Sequence, residues 1–275
     1  MLKATPLTWG FVVLCMGTPP ALAVEGSMST YLLGSRDLVM GVVPPPGAYV
    51  GNDVILYSGN IRAATNLAGI VIEDAELDVV VNKTTITAVA PGQILGGSVG
   101  FSLVVPFVDA QMEATGRVAD IIGGTIDSGH ANGLSDITLV PMIGWRDGKL
   151  HYSFSVPLYL PTGSYRNATV DIADRSADAL NPGKNRFAVD PTFAITYLDP
   201  TSGLELDASL GFTFSAENEA TDYQSGAEMH LEATAAQRFQ SGWLLGIYGQ
   251  YYQQIQDDSG AGAELLINVL KTDDL

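Results

Sequence analysis

Cysteine is almost absent: the single one, Cys15, stands in an apolar stretch near the start of the 275 residues. Without a second thiol the chain forms no internal disulfide and offers no soft sulfur ligand set to zinc. Histidine is scarce too, and His130, His151 and His230 lie too far apart to read as a metal-ligand motif. Charge is thin at 16% of residues, and positive charge thinner still: 13 Lys and Arg face 30 Asp and Glu, a net charge of -17. So acidic a chain excludes nucleic acid and anionic headgroups as electrostatically drawn partners. The apolar run Leu7 to Met16 falls short of the roughly 18 residues that a spanning helix needs. No long amphipathic helix competes either, although Gln111 to Ile122 has room for a short one.

What is present begins with a leader. Lys3, the run Leu7 to Met16, Pro19-Pro20 and the small-residue site Ala21-Leu22-Ala23 read residues 1–23 as a secretory signal peptide cleaved after Ala23. Leu14 before Cys15 is large where a lipid-attachment site wants a small residue. Residues 24–47 read as an irregular arm ending in Pro44-Pro45-Pro46-Gly47, a cap or stiff lead-in, since consecutive prolines donate nothing to a ladder.

Residues 48–262 then alternate. In Leu204 to Ala216, Leu204, Leu206, Ala208, Leu210, Phe212 and Phe214 share one parity, and Glu205, Asp207, Ser209, Gly211, Thr213 and Ser215 the other. Successive strand side chains point to opposite faces, so this is a strand with an apolar wall and a polar wall. Similar alternation runs through 98–107, 136–146, 150–160, 187–197, 228–235 and 243–255; the segments 48–58 and 76–90 are less regular, the second with a parity switch that a bulge would produce. That makes about nine strands, mostly of 9 to 14 residues. Such lengths suit the roughly 9 to 11 tilted residues of a membrane-spanning strand better than the usual strand of a globular sheet. Short turns at Asp147-Gly148 and Ser241-Gly242 contrast with the long polar loop Pro161 to Arg186, the plan of an outer-membrane barrel. Tyr49, Tyr57, Trp145, Tyr159, Phe187, Tyr197, Phe239 and Trp243 stand near strand ends, where aromatics form interfacial girdles or simply favour strands.

Several short stretches are specific enough to compare with a known family. Tyr159-Leu160-Pro161-Thr162-Gly163, Asn181-Pro182-Gly183-Lys184-Asn185, Thr196-Tyr197-Leu198-Asp199-Pro200 and Asp257-Asp258-Ser259-Gly260, with the arm from Glu25 to Asp37, resemble the bacterial family named for the meta-pathway of phenol degradation. The resemblance implies an antiparallel transmembrane β-barrel of the Gram-negative outer membrane, treated as a transporter and found near genes for degrading aromatic or other hydrophobic compounds. It also implies about twelve strands, and family members continue beyond the Asp-Ser-Gly loop. Here residues 263–275 form an atypical tail without alternation or a terminal aromatic, which reads as an incomplete barrel lacking about three closing strands.

If the apolar parity faces lipid, Asp136, Arg146, His151, Asp190, Glu205, Asp207, Glu228, His230, Glu232 and Arg238 face inward, because a charge on the lipid face costs several kcal/mol. These residues either hydrate and plug the lumen or form a binding site. The candidate binding residues are Arg146, His151, Arg238, Tyr248, Tyr252, Glu228 and His230, with the arginines and tyrosines as a constriction for a carboxylated or phenolic solute. No Gly-x-Ser-x-Gly elbow supports a hydrolase, no helix follows Gly92, Gly96 and Gly97 to make a phosphate cradle, and the acidic groups at 73–78 and 257–258 read as a solvated rim rather than a calcium site. No catalytic residue, metal or cofactor is expected. The sequence thus points to a conduit for small hydrophobic or aromatic compounds, with outer-membrane lipid and that solute as partners. The alternatives are a plugged structural or interaction barrel without transport, and a secreted soluble β-barrel binding protein with a closed apolar core.

Overall fold

The alternating segments form hydrogen-bonded ladders in the computed structural model, which describes residues 12–13, 25–27, 29–61, 65–68, 70–72, 75–114, 117–118, 122–123, 126–171 and 176–264. Among the described residues twelve strands carry the main sheet: β1 Gly47–Ile61, β2 Ala75–Ile94, β3 Gly97–Ala114, β4 Ile126–Leu134, β5 Thr138–Asp147, β6 Leu150–Ser155, β7 Leu158–Tyr159, β8 Ala188–Val189, β9 Thr192–Leu198, β10 Leu204–Ser215, β11 Glu228–Arg238 and β12 Leu244–Gln254. They form an antiparallel meander in which β4 and β5, β6 and β7, and β8 and β9 are halves of single lines. Pro157 and Pro191 stand in two of the breaks, where a residue without an N–H interrupts the ladder. Counted as lines, the strands are the nine that the alternation predicts.

The short turns gather at one end of the sheet. Leu95–Gly96, Gly148–Lys149, the Asp199 to Gly203 turn and the Phe239 to Trp243 turn all lie there, whereas the strand ends Ile61 and Ala75, Ala114 and Ile126, Tyr159 and Ala188, and Ser215 and Glu228 lie at the other. The long-loop end also carries a small sheet of Thr65–Leu67, Ile70–Ile72, Arg117–Val118 and Ile122–Gly123, and a hairpin of Thr169–Asp171 with Ser176–Asp178.

Polarity is inverted relative to a soluble sheet. In β10 the carboxylates Glu205 and Asp207 are 0% and 5% exposed, while Leu206 and Phe214 on the other parity are 43% and 47% exposed. Phe101, Phe107, Phe154, Phe193, Leu231, Leu245 and Ile247 continue the outer apolar wall. A closed apolar core behind β10, as the soluble alternative requires, is therefore not what the chain builds. The inner face of β2, β3 and β4 does hold an apolar cluster, in which Val79, Val81, Ala110, Met112 and Ala131 pack with Ala179 and Leu180 of the long loop, and with Leu32 and Ile55 at its margin.

Two local expectations change. The parity switch in 76–90 is not a bulge: pairing on both sides of β2 runs in continuous register from Ala75 to Val89, with the shift falling between Val89 and Gln93. Val79 and Val81 turn inward because the interior is apolar there, while Ile86 turns outward on the opposite parity. Gln111 to Ile122 does not hold a helix, since β3 continues to Ala114 and 117–118 and 122–123 are strands. Tyr57 and Tyr159 leave the aromatic girdle: Tyr57 bonds the arm, and Tyr159 lies across from buried Thr138 on the inner face.

Val12–Val13, within the expected leader, lies parallel to β12, opposite Ile247 and Tyr248, and among the described residues no ladder pair joins β1 to β12. The sheet nonetheless curls round the arm. Adjacent arm residues touch both flanks, with Leu33 carbonyl accepting from Tyr57 of β1 and Gly34 N–H donating to Glu232 of β11. The rest of the expected leader, the expected cleavage site after Ala23 and Cys15 lie outside the described residues, as does the tail from 265.

Candidate functional site

An inward wall of carboxylates needs hydrogen-bond donors, because a buried charge left unpaired costs several kcal/mol. The arm supplies them from its backbone. Gly34 N–H donates to Glu232 at 2.7 Å, Val39 N–H to Glu205 at 2.8 Å, Met40 N–H to Asp207 at 3.1 Å and Gly41 N–H to Thr196 Oγ1 at 2.9 Å. Tyr31 donates its hydroxyl to Glu232 and stacks on His230 with ring centroids 3.6 Å apart; Thr234 donates to Asp37 carbonyl, and Arg36 to Ser155 at 3.1 Å. Glu25 lies at the long-loop end, and Val43 reaches Gly144 near the short-turn end, so the arm runs the length of the interior. Gly41 lets the arm lie close against the wall: a Cβ there would lie 2.8 Å from His151 carbonyl oxygen and Thr196 nitrogen. Gly211 makes room in the same way for His230, whose Nε2 would be 2.3 Å from a Cβ at 211.

The predicted residues separate on this frame. His230, 1% exposed, holds Asp190 through Nε2 at 3.0 Å, and Thr192 and Thr213 donate to the same carboxylate. Glu228 is fully buried and accepts from Tyr252 at 2.9 Å, while Tyr248 donates to Glu232 at 2.5 Å. Arg238 is neutralised by Glu205, with Nη2 to Oε2 at 2.6 Å. His151 is half-buried beside Gly41. Arg146 keeps the inward parity but is exposed at the short-turn end, where Nε bonds Gly148 carbonyl at 3.1 Å, so it does not join the others. The structure brings Glu228, His230, Tyr248 and Tyr252 onto neighbouring strands around the arm, and holds the two arginines apart from a shared constriction.

A second group is not legible in the sequence, because its members are scattered. Glu25, Arg186, Asn218 and Thr221 form a buried network at the long-loop end, with Arg186 Nη1 2.9 Å from Glu25 Oε2. Nearby, Asp136 accepts from Gly163 and Lys184 N–H groups at 2.8 and 2.7 Å and pins the long loop inward. Burial, with Arg186 adding to it, pushes the Lys184 ammonium down to about 8. At the short-turn end the Lys149 ammonium beside Asp199 holds that carboxyl down at about 2. A cleft of about 320 Å³ opens among the long loops, lined by His130, Asn132, Tyr165 and Arg166, with Ala131 and Leu180 of the interior apolar cluster at its wall. Among the described residues no group of His, Cys, Asp and Glu is arranged to hold a metal ion.

The pattern of the family described as "Putative MetA-pathway of phenol degradation" matches residues 62–273. The chain belongs to that family. No curated protein matches it in sequence. Among solved structures, an outer membrane channel from Pseudomonas putida F1 is similar, with a TM-score of 0.61 and 18% identity, over 83% of this chain and 80% of the other. The member described here thus shares its all-β antiparallel fold with an outer-membrane channel.

Proposed function

We propose that this member of the phenol-degradation family is an outer-membrane channel that conducts small hydrophobic or aromatic compounds passively, with its own arm as the plug. The inverted polarity carries the reading: leucines and phenylalanines face outward while Glu205, Glu228 and Glu232 are wholly buried. A hydrocarbon surround makes that arrangement favourable, since in water the outer wall would seek cover and the carboxylates exposure. The turn asymmetry agrees with the outer-membrane plan, as do the family and the fold likeness. Val79, Val81 and Met112 give the interior an apolar side, and the loop cleft adjoins it at Ala131 and Leu180.

The filled interior favours a second reading, a plugged barrel with a structural role. Flux separates the two. The chain with its leader would be expressed in a Gram-negative host, extracted with detergent and tested for heat-modifiable gel mobility, then reconstituted in liposomes with and without residues 25–41. Toluene entry that rises when the arm is removed supports the channel; a tight vesicle in both cases supports the structural barrel, and release by salt wash would sink both.

A further inference from the structure

The arm begins with a bound carboxylate. Glu25 is 7% exposed, and its oxygens receive Arg186 Nη1 at 2.9 Å, Asn218 Nδ2 at 3.0 and 3.2 Å and Thr221 Oγ1 at 2.7 Å. Arg186 and Asn218 are themselves buried at 2% and 0% exposure. They are held in place: Asn185 donates to Asn218 Oδ1 at 2.8 Å, and Asn218 Nδ2 also donates to Tyr165 hydroxyl at 2.9 Å. Two loops of the long-loop end therefore build a seat of three donors for one carboxylate, before any solute is considered.

The arm fills that seat imperfectly. Among the described residues Glu25 meets the guanidinium through Nη1 alone, and the buried Nε and Nη2 of Arg186 have no hydrogen-bond partner. Those two groups make up the side-on fork, the edge of arginine whose parallel N–H bonds match a carboxylate best. Ser215 Oγ, which also lacks a partner, lies on the adjoining strand, and the Lys184 ammonium stands within electrostatic reach of Arg186.

We infer that Arg186, Asn218 and Thr221 form a binding site for a small monocarboxylate, which competes with the arm's Glu25 and takes the vacant fork of Arg186. This deepens the channel reading and rests on it, naming carboxylated solutes as those the plug responds to. A solute that displaces Glu25 removes the arm's anchor at the long-loop end.

The test uses the full-length protein purified in detergent, with benzoate as probe and benzamide as its neutral, near-isosteric control, and affinities read by calorimetry. Benzoate binds and benzamide does not. Glu25→Gln, which keeps an acceptor for Asn218 but removes the competing charge, tightens benzoate about tenfold, the scale of one charge-assisted hydrogen bond. Arg186→Lys, which keeps the charge but loses the fork, weakens it by a similar factor. Equal binding of the two probes, or no change in benzoate affinity in Glu25→Gln, overturns the proposal even where Arg186→Lys fails to fold. Toluene flux without benzoate binding overturns the seat and leaves the channel standing; benzoate binding with the Glu25→Gln effect but without flux supports the seat and removes the channel.

Discussion

At the residue scale, Glu232 is a heavily used acceptor of the interior, taking bonds from Tyr31, Gly34 and Tyr248. Glu232→Gln keeps the shape but weakens these charge-assisted bonds, and the urea midpoint of the folded protein in detergent should fall by an amount equal to about 1–3 kcal/mol. Lys184 gives the molecule an alkaline signature. Its folded value of about 8 lies below the roughly 10.4 of an unfolded lysine, so between the two the unfolded chain holds more protons and stability rises with pH. Below pH 8 both states are charged and the penalty is constant. Urea midpoints from pH 7 to 10 should climb in the native chain and climb less in Lys184→Met. Side-chain direction was readable in advance: Asp190, Glu205, Asp207, Glu228, His230 and Glu232 sit on the parity that the alternation assigned to the interior. Their partners were not, because Tyr31, Gly34 and Val39 are about 165 to 200 residues away in sequence, and no periodicity links a strand to a backbone N–H of an irregular arm.

At the scale of elements, the long strands and their turns follow from the alternation and from Gly148 and Gly242, whose φ values of 60° and 88° fit the turns that glycine favours. The first strands misled for a physical reason. Local pattern reports only whether the two faces differ, and in β2 both faces carry apolar groups, because the inner one meets Leu180 and Ala179. The arm was legible as non-strand from its three prolines, but not as a plug. Gly41 tests that role. A valine there would collide with the backbone of β9 and with His151 carbonyl, so Gly41→Val should unseat the arm's lower half and raise toluene flux several-fold in liposomes. Unchanged flux in a folded variant would mean that the arm does not limit passage.

At the scale of the whole molecule, the outer apolar wall can be tested for what surrounds the protein. Leu210 lies mid-strand in β10 and faces outward at 38% exposure. Leu210→Arg should destabilise the inserted protein by about 2–4 kcal/mol in lipid-vesicle urea titrations, the cost of a cation near the bilayer midplane. A change within a few tenths of a kcal/mol would place that face in water. The arrangement of two unlike rims, short turns at one and folded loops at the other, could be read in part from turn residues, whereas the inward fold of 160–187 could not. That fold depends on Asp136, a buried acceptor contributed by a distant strand break.

The arm is joined to β1 through Pro44-Pro45-Pro46, so it is a ligand tethered to its own receptor. A stiff, short tether keeps its local concentration at roughly millimolar or above, whatever the amount of protein present. A free peptide of residues 25–43 added at micromolar concentration should therefore fail to reclose a channel whose arm has been deleted. In the proposed channel each displacement of the native arm is correspondingly brief, and a solute that dislodges it must pass before the tether returns it.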